Sequence, residues 1–471
     1  MTLINHSKNN LIWIISFLII FTASLFLYYP SLNYYFFQDD WSVLNWVRTG
    51  DLKSFFSFHT DVIYWRPVSV PIFFAFNKIF FGLNPFGYHL IVFGIFFLLI
   101  LCVYQLFVLL VGDRKIALIA PSLYAVWPIH FMSLSWLSTS SYIISPFFQV
   151  ISFIYFIKYT QNTKKHLLSI SFAAFFLALA SSELALVLPL IIFGWGYLIK
   201  NKNYLKELRP YLAIIAIYLI VRFFIFPIPA KHQYQITINH LIFDNLIWYL
   251  GWALNFPESF KDLIDQSRPV QSIKVLIQFW KISLPVILII VLLIQQILSH
   301  SRKKLRLFIF GFSWIILGLL PVIALPSHSY SVYLSFAGLG VLYIISIIFR
   351  DSNRIWWVAF VILWVFSSWA NLQFTRRTHW IVNEQAISKA YTAYAKKVAP
   401  DPQPNSIFLF KEADKGFYTK KENIRQSLGD QDAIKVIYNE PTLKSIFATF
   451  KDDPKLPEGM PVIEIRPRIE K

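Results

Sequence analysis

The chain has 471 residues, of which 56% are hydrophobic and 18% aromatic, while only 14% are charged. Its 47 phenylalanines far exceed the usage of soluble domains, so a polytopic membrane protein is predicted. The net charge of +18 would suit a nucleic-acid-binding protein, but the last 97 residues hold 17 basic and 13 acidic residues, against 26 and 12 in residues 1–374. We therefore predict a transmembrane domain over 1–374, a soluble α/β domain over 375–471 and no nucleic-acid partner.

Apolar stretches long enough to cross a bilayer, about 20 residues each, recur along the transmembrane domain. The first lacks a small-residue cleavage site and is predicted to be a retained span rather than a signal peptide. Glu183 and Pro189 favour a break within 167–199 over one long helix, which brings the predicted number of spans to about eleven. The predicted spans are 11–29, 88–110, 116–131, 142–158, 167–181, 185–199, 210–227, 282–298, 307–325, 333–349 and 355–373.

Charge asymmetry predicts the orientation, because cytoplasmic connections are enriched in Lys and Arg. Alternate connections carry 16 basic residues against the three acids Asp113, Glu207 and Asp351, whereas the other connections are nearly balanced. The basic residues are Lys8, Arg114, Lys115, Lys158, Lys164, Lys165, Lys200, Lys202, Lys206, Arg209, Arg302, Lys303, Lys304, Arg306, Arg350 and Arg354. We therefore expect a cytoplasmic N-terminus and an extracytoplasmic C-terminal domain in a bacterial cytoplasmic membrane.

Two long connections, 30–87 and 228–281, fall on the external side and indicate that the working face is there. An amphipathic piece at 66–81 and a helix near 240–254 are predicted to lie in the membrane interface. The single cysteine, Cys102, lies in an apolar run. Neither an internal disulfide nor a cysteine-based metal site is therefore expected.

The C-terminal segment has the pattern of a small α/β domain. A helix is predicted over 379–398, and β-strands are predicted over 406–410, 433–438 and 461–465, where β-prone runs are separated by polar segments. No catalytic motif is evident in this segment. An accessory or substrate-docking role is therefore favoured over a second active site.

Asp39 and Asp40 follow the first span directly, within the aromatic stretch 36–41. Apolar surroundings penalise carboxylates, so an acidic pair here needs a reason. The two could bind a cation, one could act as a general base tuned by the other, or they could cap a helix N-terminus. A metal is disfavoured, because no third carboxylate lies at ligand spacing in this loop.

Charged side chains inside membrane spans are costly and are candidates for function. Glu183 and Arg222 are such residues, each near the outer end of a predicted span. Arg222 could instead extend its long side chain to the interface, an alternative that is weaker for the shorter Glu183.

Further polar and aromatic residues are predicted at the same membrane depth. Arg66, close after Tyr64, suits a phosphate because guanidinium binds phosphate in bidentate fashion, although it could also anchor lipid headgroups. His130, His328 and Tyr330 lie at outer span ends, where an isolated histidine is more often structural than a ligand. Together with the acidic pair and the two intramembrane charges, these residues predict an outer-leaflet cleft for a lipid-linked phosphate and a second substrate.

The order of these motifs resembles the GT-C class of polyprenyl-phosphate-sugar-dependent glycosyltransferases. The most similar branch contains the protein O-mannosyltransferases and their bacterial relatives, including the aminoarabinose transferases. The resemblance covers roughly residues 11–200. It rests on Asp-Asp, Tyr-Trp-Arg-Pro, Phe-Gly-Leu-Asn-Pro-Phe-Gly-Tyr-His, Trp-Pro-Ile-His and Ser-Ser-Glu at 39–40, 64–67, 81–89, 127–130 and 181–183.

The resemblance implies a GT-C fold and inverting transfer of a sugar from a polyprenyl-phosphate carrier, without a cofactor. Asp39 matches the family's proposed general base, Asp40 the second acidic position and Arg66 a residue that contacts the donor phosphate. The family's Lys-Glu pair is altered, since Ser182 precedes Glu183, and the Gly-Arg-Lys-Asp of one branch is replaced by Ser-Thr-Ser-Ser at 138–141. These changes bear on the acceptor and on activity.

The chemistry of the residues agrees with this assignment. Arg66 and Arg222, with His328 as a third candidate, would stabilise the leaving phosphate without a metal. Asp39 is expected to have a raised pKa because of its acidic neighbour and partial burial. The predicted catalytic residues are Asp39, Asp40 and Glu183, and the predicted substrate-binding residues are Arg66, Arg222, Tyr64, His130, His328 and Tyr330. The expected partners are a polyprenyl-phosphate-linked sugar, membrane lipid and an acceptor protein, lipid or glycan.

Three other functions stay open at the level of the sequence. The chain could be a ligase or polymerase that uses lipid-diphosphate oligosaccharides, or an inactive relative that only binds lipid. A transporter or flippase of a lipid-linked substrate would show inverted repeats and charges near the midplane. No internal repeat is evident and both intramembrane charges lie toward one face, which favours the enzyme.

Overall fold

In the part of the chain that the structure describes, the protein is mainly helical and has one small β-sheet near its C-terminal end. The computed structural model describes residues 2–58, 64–199, 203–226, 234–264, 269–300, 304–413, 420–449, 454, 456–457 and 459–467. Parts of both predicted long external connections therefore lie outside the described residues, as do Lys200, Lys202, Arg302 and Lys303 of the basic connections.

The helices up to the end of the membrane domain are α1 (Thr2–Tyr28), α2 (Asp39–Thr49), α3 (Leu52–Phe56), α4 (Phe73–Phe81), α5 (Pro85–Val111), α6 (Arg114–Ala117), α7 (Ile119–Val126), α8 (Phe131–Ser135), α9 (Ser141–Asn162), α10 (Lys165–Leu179), α11 (Leu188–Leu198), α12 (Arg209–Ile220), α13 (Leu241–Ala253), α14 (Phe260–Leu263), α15 (Pro269–Gln278), α16 (Trp280–His300), α17 (Leu305–Leu319), α18 (Leu334–Phe349) and α19 (Arg354–Thr378). The C-terminal domain contains α20 (Trp380–Val398), β1 (Ile407–Lys411), α21 (Lys421–Ser427), α22 (Asp432–Tyr438), β2 (Lys444–Ala448) and β3 (Val462–Ile465).

Within the described residues, seven helices are long and apolar enough to cross a membrane, and a bent pair would add an eighth. The seven are Leu11–Asn33, Pro85–Val111, Leu137–Asn162, Tyr204–Ile225, Trp280–Ser299, Ser331–Phe349 and Arg354–Thr378, and the bent pair is Arg114–Val126 with Pro128–Ser135. The other three predicted spans coincide with shorter apolar helices, Lys165–Leu179, Glu183–Leu198 and Leu305–Leu319. The multi-pass helical architecture is confirmed, and the number eleven stays a prediction.

Local sequence signals set several helix ends. Pro85 occupies the first turn of α5, where its missing N–H costs nothing, and Asn84 Oδ1 accepts from Phe86 N at 3.2 Å. Gly112 ends the same helix with φ +78°, a left-handed conformation that favours glycine. Pro128 cannot donate to the preceding turn, and the chain bends by 46° between the two helices that flank Trp127.

Small residues allow α17 and α18 to pack closely. A Cβ on Gly340 would lie 2.7 Å from Gly311 O, and one on Gly318 would lie 2.6 Å from Ala337 Cβ. Such close approach between helix backbones is typical of helix pairs in membranes. The α18 helix is consequently buried along nearly its whole length.

The connections between helices group on two faces. Tyr159 Oη donates to Glu207 Oε1 at 3.0 Å, and Lys304 Nζ lies 2.7 Å from Asp351 Oδ2, so four basic connections meet in two pairs. These pairs lie at the ends of α9 and α18 that are remote from the contact between Tyr142 and Tyr333. The loop after the first span and the C-terminal domain meet at the other end, where α9 begins. Basic and nearly balanced connections alternate along the chain, and this alternation predicts such a grouping on two faces.

The C-terminal domain has a three-stranded parallel sheet in the order β2-β1-β3, with Ile407 paired to Lys444 and to Val462. The helix predicted over 379–398 is confirmed as α20, and the strands predicted over 406–410 and 461–465 as β1 and β3. The strand predicted over 433–438 is wrong, since this segment forms α22, and β2 was not predicted. In α22, Ala433, Ile434 and Val436 are buried, which is helical spacing of apolar residues.

Candidate active site

Arg66 and Glu183 form an ion pair at the end of the helix bundle where α9 begins. Val68 N donates to Ala180 O at 3.0 Å, which ties the loop after the first span to the turn before Glu183. Arg66 Nε then donates to Glu183 Oε2 at 2.9 Å, and Arg66 Nη2 donates to Glu183 Oε1. We predicted separate roles for these residues, on the phosphate and acceptor sides, whereas the structure joins them.

The guanidinium of Arg66 also contacts Ser141, Tyr142 and Tyr64. Ser141 Oγ and Tyr142 Oη each accept from it at 3.3 Å, and its Cζ lies 4.6 Å and 5.2 Å from the ring centroids of Tyr64 and Tyr142. The Arg66 side chain is 8% exposed and that of Glu183 is 33% exposed. Burial lowers the pKa of Arg66, but the Glu183 carboxylate and the neighbouring Tyr142 and Tyr64 together raise it above its usual value, so the residue stays a cation.

A tyrosine cluster surrounds this pair; it consists of Tyr64, Tyr142, Tyr234, Tyr330 and Tyr333, with His328 among them. The His328 ring centroid lies 4.3 Å from that of Tyr234 and 5.0 Å from that of Tyr330, while Tyr142 and Tyr333 meet edge to face at 5.3 Å. The cluster combines apolar ring faces with hydroxyl groups. Such a surface suits a ligand with both apolar and hydroxyl-bearing parts.

His328 is close to Arg66 but does not add positive charge. Burial, together with the nearby Arg66 guanidinium, lowers its pKa to about 4. The imidazole is therefore neutral near pH 7, and the expectation that it helps to neutralise a phosphate by charge is corrected. It remains able to donate one hydrogen bond.

Asp40 is fully buried, and both of its carboxylate oxygens accept hydrogen bonds. Its Oδ1 accepts from Ser138 N at 2.8 Å and from Ser138 Oγ at 2.6 Å, and its Oδ2 accepts from Phe37 N at 3.3 Å. Burial raises its pKa to about 7, while these hydrogen bonds oppose that rise. Asp40 therefore has a raised pKa because it is fully buried, and the raised pKa expected for Asp39 stays a prediction.

Asp39 has a different environment from its neighbour. It is exposed, in the first turn of α2, and interacts electrostatically with Tyr64 and Tyr234. The same two tyrosines interact electrostatically with Arg66. Asp39 and Arg66 therefore act on the same two tyrosines, and Asp39 is the exposed member of the acidic pair.

Arg222 and His130 have different relations to this site. Arg222 is 3% exposed, donates to Phe226 O at 3.3 Å and interacts electrostatically with Glu183, so it is held inside the protein rather than reaching the interface. His130 is completely buried between Phe96 and Tyr124, with ring centroids at 4.8 Å and 4.3 Å. The structure therefore associates Arg222 with the ion pair and places His130 in the aromatic core.

Several residues at the site were not among those predicted from the sequence. Ser138 was noted only as part of an altered motif, although it holds Asp40. Glu258 Oε2 accepts from Ser331 N at 2.8 Å, and Glu258 Oε1 lies 3.3 Å from His379 Nε2, which fixes the turn that carries Tyr330. Tyr142 and Tyr234 lack a sequence signal of their own, since tyrosine is abundant throughout the chain.

No set of three or more His, Cys, Asp or Glu residues is placed to hold a metal ion within the part of the chain that the structure describes. The geometry separates the two aspartates, with one carboxylate engaged by Ser138 and the other exposed. This arrangement differs from a pair of carboxylates that converge on one cation.

Comparison with solved structures gives a match over nearly the whole chain. The crystal structure of ArnT from Cupriavidus metallidurans, bound to undecaprenyl phosphate, aligns with a TM-score of 0.53 at 11% sequence identity and covers 92% of this chain and 89% of ArnT. The chain has the fold of ArnT. The GT-C fold predicted from the order of motifs is thereby confirmed, and the ArnT match extends well beyond residues 11–200 that carried the resemblance.

Two structures of an archaeal oligosaccharyltransferase from Archaeoglobus fulgidus match with lower scores than ArnT. AglB in complex with an inhibitory peptide and a dolichol-phosphate has a TM-score of 0.43 at 15% identity, covering 88% of this chain and 63% of AglB. A complex with Zn and sulfate has a TM-score of 0.35 at 16% identity, covering 88% and 61%. No protein-family model and no curated protein sequence matches the chain.

Proposed function

We propose that this protein is an inverting glycosyltransferase that moves a sugar from a polyprenyl-phosphate carrier to an acceptor at the external face of a bacterial cytoplasmic membrane. One observation carries the proposal. Arg66 and the exposed Asp39 both interact electrostatically with Tyr64 and Tyr234, so a cation for a phosphate and a carboxylate base are near the same aromatic side chains. The ArnT fold supports the assignment, because ArnT was solved bound to undecaprenyl phosphate.

The cations beside Glu183 favour an anionic ligand. Arg66 forms an ion pair with Glu183, and Arg222 interacts electrostatically with the same carboxylate. The phosphodiester of a polyprenyl-phosphate sugar carries one negative charge, which these arginines would attract. Arg66 Nη1 donates only a long bond of 3.3 Å to Ser141 Oγ, which a phosphate oxygen could replace with a stronger, charge-assisted bond.

Asp39 would act as the general base. Its carboxylate accepts the proton of the acceptor hydroxyl while the hydroxyl oxygen bonds to the anomeric carbon of the sugar. The bond from that carbon to the phosphate oxygen breaks, and polyprenyl phosphate leaves with the electron pair toward Arg66 and Arg222, where fixed positive charge stabilises it. Attack opposite to the leaving phosphate inverts the anomeric centre. Asp40 has no free face for this chemistry, and its bonds to Ser138 position the first turn of α2 instead.

The test uses membranes that contain Asp39→Asn, with Asp51→Asn as the matched control. Asp51 lies in the same loop and caps α3 through Ser54 N at 2.8 Å, a bond that asparagine also makes. With a panel of radiolabelled undecaprenyl-phosphate-linked sugars, donor consumption should fall at least about 100-fold in Asp39→Asn, the scale of lost general-base catalysis. Asp51→Asn should match the wild type.

Binding of undecaprenyl phosphate is measured on the purified variants. Asp39→Asn should bind like the wild type, whereas Arg66→Ala combined with Arg222→Ala should lose saturable binding. Full turnover in Asp39→Asn would rule out its role as base. Undiminished binding in the double arginine variant would show that the phosphate site lies elsewhere, and a wild type that binds no polyprenyl phosphate would contradict the proposed function.

A further inference from the structure

Gln38, the residue before Asp39, has an unfavourable backbone conformation. Its φ is +49° and its ψ is −123°, a region that residues with a Cβ rarely occupy. Such a conformation persists only where surrounding contacts impose it. Because α2 begins at Asp39, the backbone of Gln38 sets the direction in which Asp39 leaves the preceding loop.

The contacts that impose this conformation come from the C-terminal domain. Gln38 N donates to Ser427 O at 3.1 Å. Gly429, with φ +55°, packs so closely that a Cβ there would lie 2.9 Å from Gln38 O and 3.1 Å from Trp41 Cβ. The turn at 427–429 thus covers both the amide and the carbonyl of Gln38.

Neighbouring contacts extend this interface along α2. Trp41 Nε1 donates to Ser388 Oγ at 2.8 Å, and Asn45 Nδ2 donates to Asp432 Oδ1 at 2.8 Å. The interface therefore extends from Gln38 to Asn45, over about two turns of α2. From the membrane domain, Ser138 holds Asp40, so the first turn of α2 is fixed from two sides.

We propose that the turn at 427–429 positions Asp39 for catalysis, with Gly429 as the positioning residue that permits the close contact to Gln38. This inference rests on the proposed function, because it assigns to the C-terminal domain the orientation of the proposed base. The domain would then be required for turnover but not for binding of the lipid phosphate, whose ligands lie in the membrane domain.

The test compares Gly429→Ala with Gly459→Ala in the full-length protein. Both glycines have positive φ, +55° and +78°, in the same domain, but a Cβ at Gly459 meets nothing within 4 Å. Backbone strain is thus common to the two variants, and the collision with Gln38 is specific to Gly429→Ala. Three quantities are measured: hydrogen–deuterium exchange of peptides over 36–45, binding of undecaprenyl phosphate, and consumption of undecaprenyl-phosphate-linked sugars by membranes.

In Gly429→Ala we expect faster exchange over 36–45 and a kcat lowered about 10-fold to 100-fold, the scale of a misplaced catalytic group, with the dissociation constant for undecaprenyl phosphate unchanged within about twofold. Gly459→Ala should resemble the wild type in all three. Unchanged exchange and turnover in Gly429→Ala, or equal losses in both variants, would overturn the inference.

Failure of the proposed function gives a different result. A wild-type protein that neither binds undecaprenyl phosphate nor consumes any donor contradicts the glycosyltransferase and, with it, the positioning of a base. The exchange comparison then still decides whether the turn at 427–429 holds Gln38.

Discussion

The two aspartates at the start of α2 differ in role because only one of them is buried. Asp40 is buried against Ser138, where a carboxylate is acceptable only if its oxygens accept several hydrogen bonds. Asp39, one residue earlier in the helical turn, is exposed and interacts electrostatically with Tyr64 and Tyr234. One buried and one exposed carboxylate can thus divide positioning and proton transfer between them.

The buried carboxyl of Asp40 should make stability depend on pH. Its pKa rises from 3.8 to about 7 on folding, which corresponds to about 4 kcal/mol. Between these values the folded protein binds more protons than the unfolded protein, so the stability contribution of Asp40 falls as pH rises from about 4 to about 7. In detergent, the Tm of the wild type minus that of Asp40→Asn should therefore decrease across this window and level off above it. Parallel Tm curves for the two proteins would contradict this prediction.

At the residue scale, the sequence identified most of the charged residues at the site but not their partners. Asp39, Arg66, Glu183 and Arg222 are recognisable because charges at membrane depth are rare. The pairing of Arg66 with Glu183 joins positions 117 residues apart, and no local pattern encodes such a contact. His130 was predicted at the site because it lies at the same depth in the membrane, but its side chain is buried in the aromatic core between Phe96 and Tyr124.

At the scale of elements, the Arg66–Glu183 pair joins the loop after the first span to the turn after α10. Arg66→Ala should destabilise the protein by about 3 kcal/mol, because it leaves a partly buried carboxylate without its partner. Adding Glu183→Ala removes that carboxylate and should restore most of the stability, while binding of undecaprenyl phosphate stays lost in both variants. Thermal unfolding in detergent and lipid binding are measured side by side. A double variant as unstable as Arg66→Ala would mean that the arginine acts mainly through its tyrosine contacts.

The elements of the C-terminal domain show the limit of pattern analysis in short segments. Residues 433–438 combine β-branched residues with few polar ones, which favours a strand, but the buried positions follow helical spacing and Asn439 ends the helix with φ +53°. The strand β2 begins with the polar residues Lys444 and Ser445, so this segment lacks the apolar run from which a strand is predicted. Both outcomes depend on packing against β1 and α20, which the local sequence does not specify.

For the whole molecule, the distribution of charge and the contacts between connections agree. Four connections rich in Lys and Arg lie at one end of the bundle, and the candidate site and C-terminal domain lie at the other. The positive-inside rule then predicts an external active site. This prediction follows from the alternation of charge along the chain, whereas no pattern in the sequence indicates the docking of 427–429 on Gln38.

Cysteine labelling tests the predicted orientation. In a Cys102→Ser background, single cysteines replace Asn162 in a basic connection, Ser327 beside the tyrosine cluster and Asp401 in the C-terminal domain; all three positions are exposed. A membrane-impermeant maleimide applied to intact cells should label the cysteines at 327 and 401 but not the one at 162, because Lys- and Arg-rich connections stay on the cytoplasmic side. Permeabilised cells should show labelling at all three positions, which controls for reactivity. The reverse pattern would place the Asp39 site on the cytoplasmic side, where its acceptor would have to be a cytoplasmic molecule.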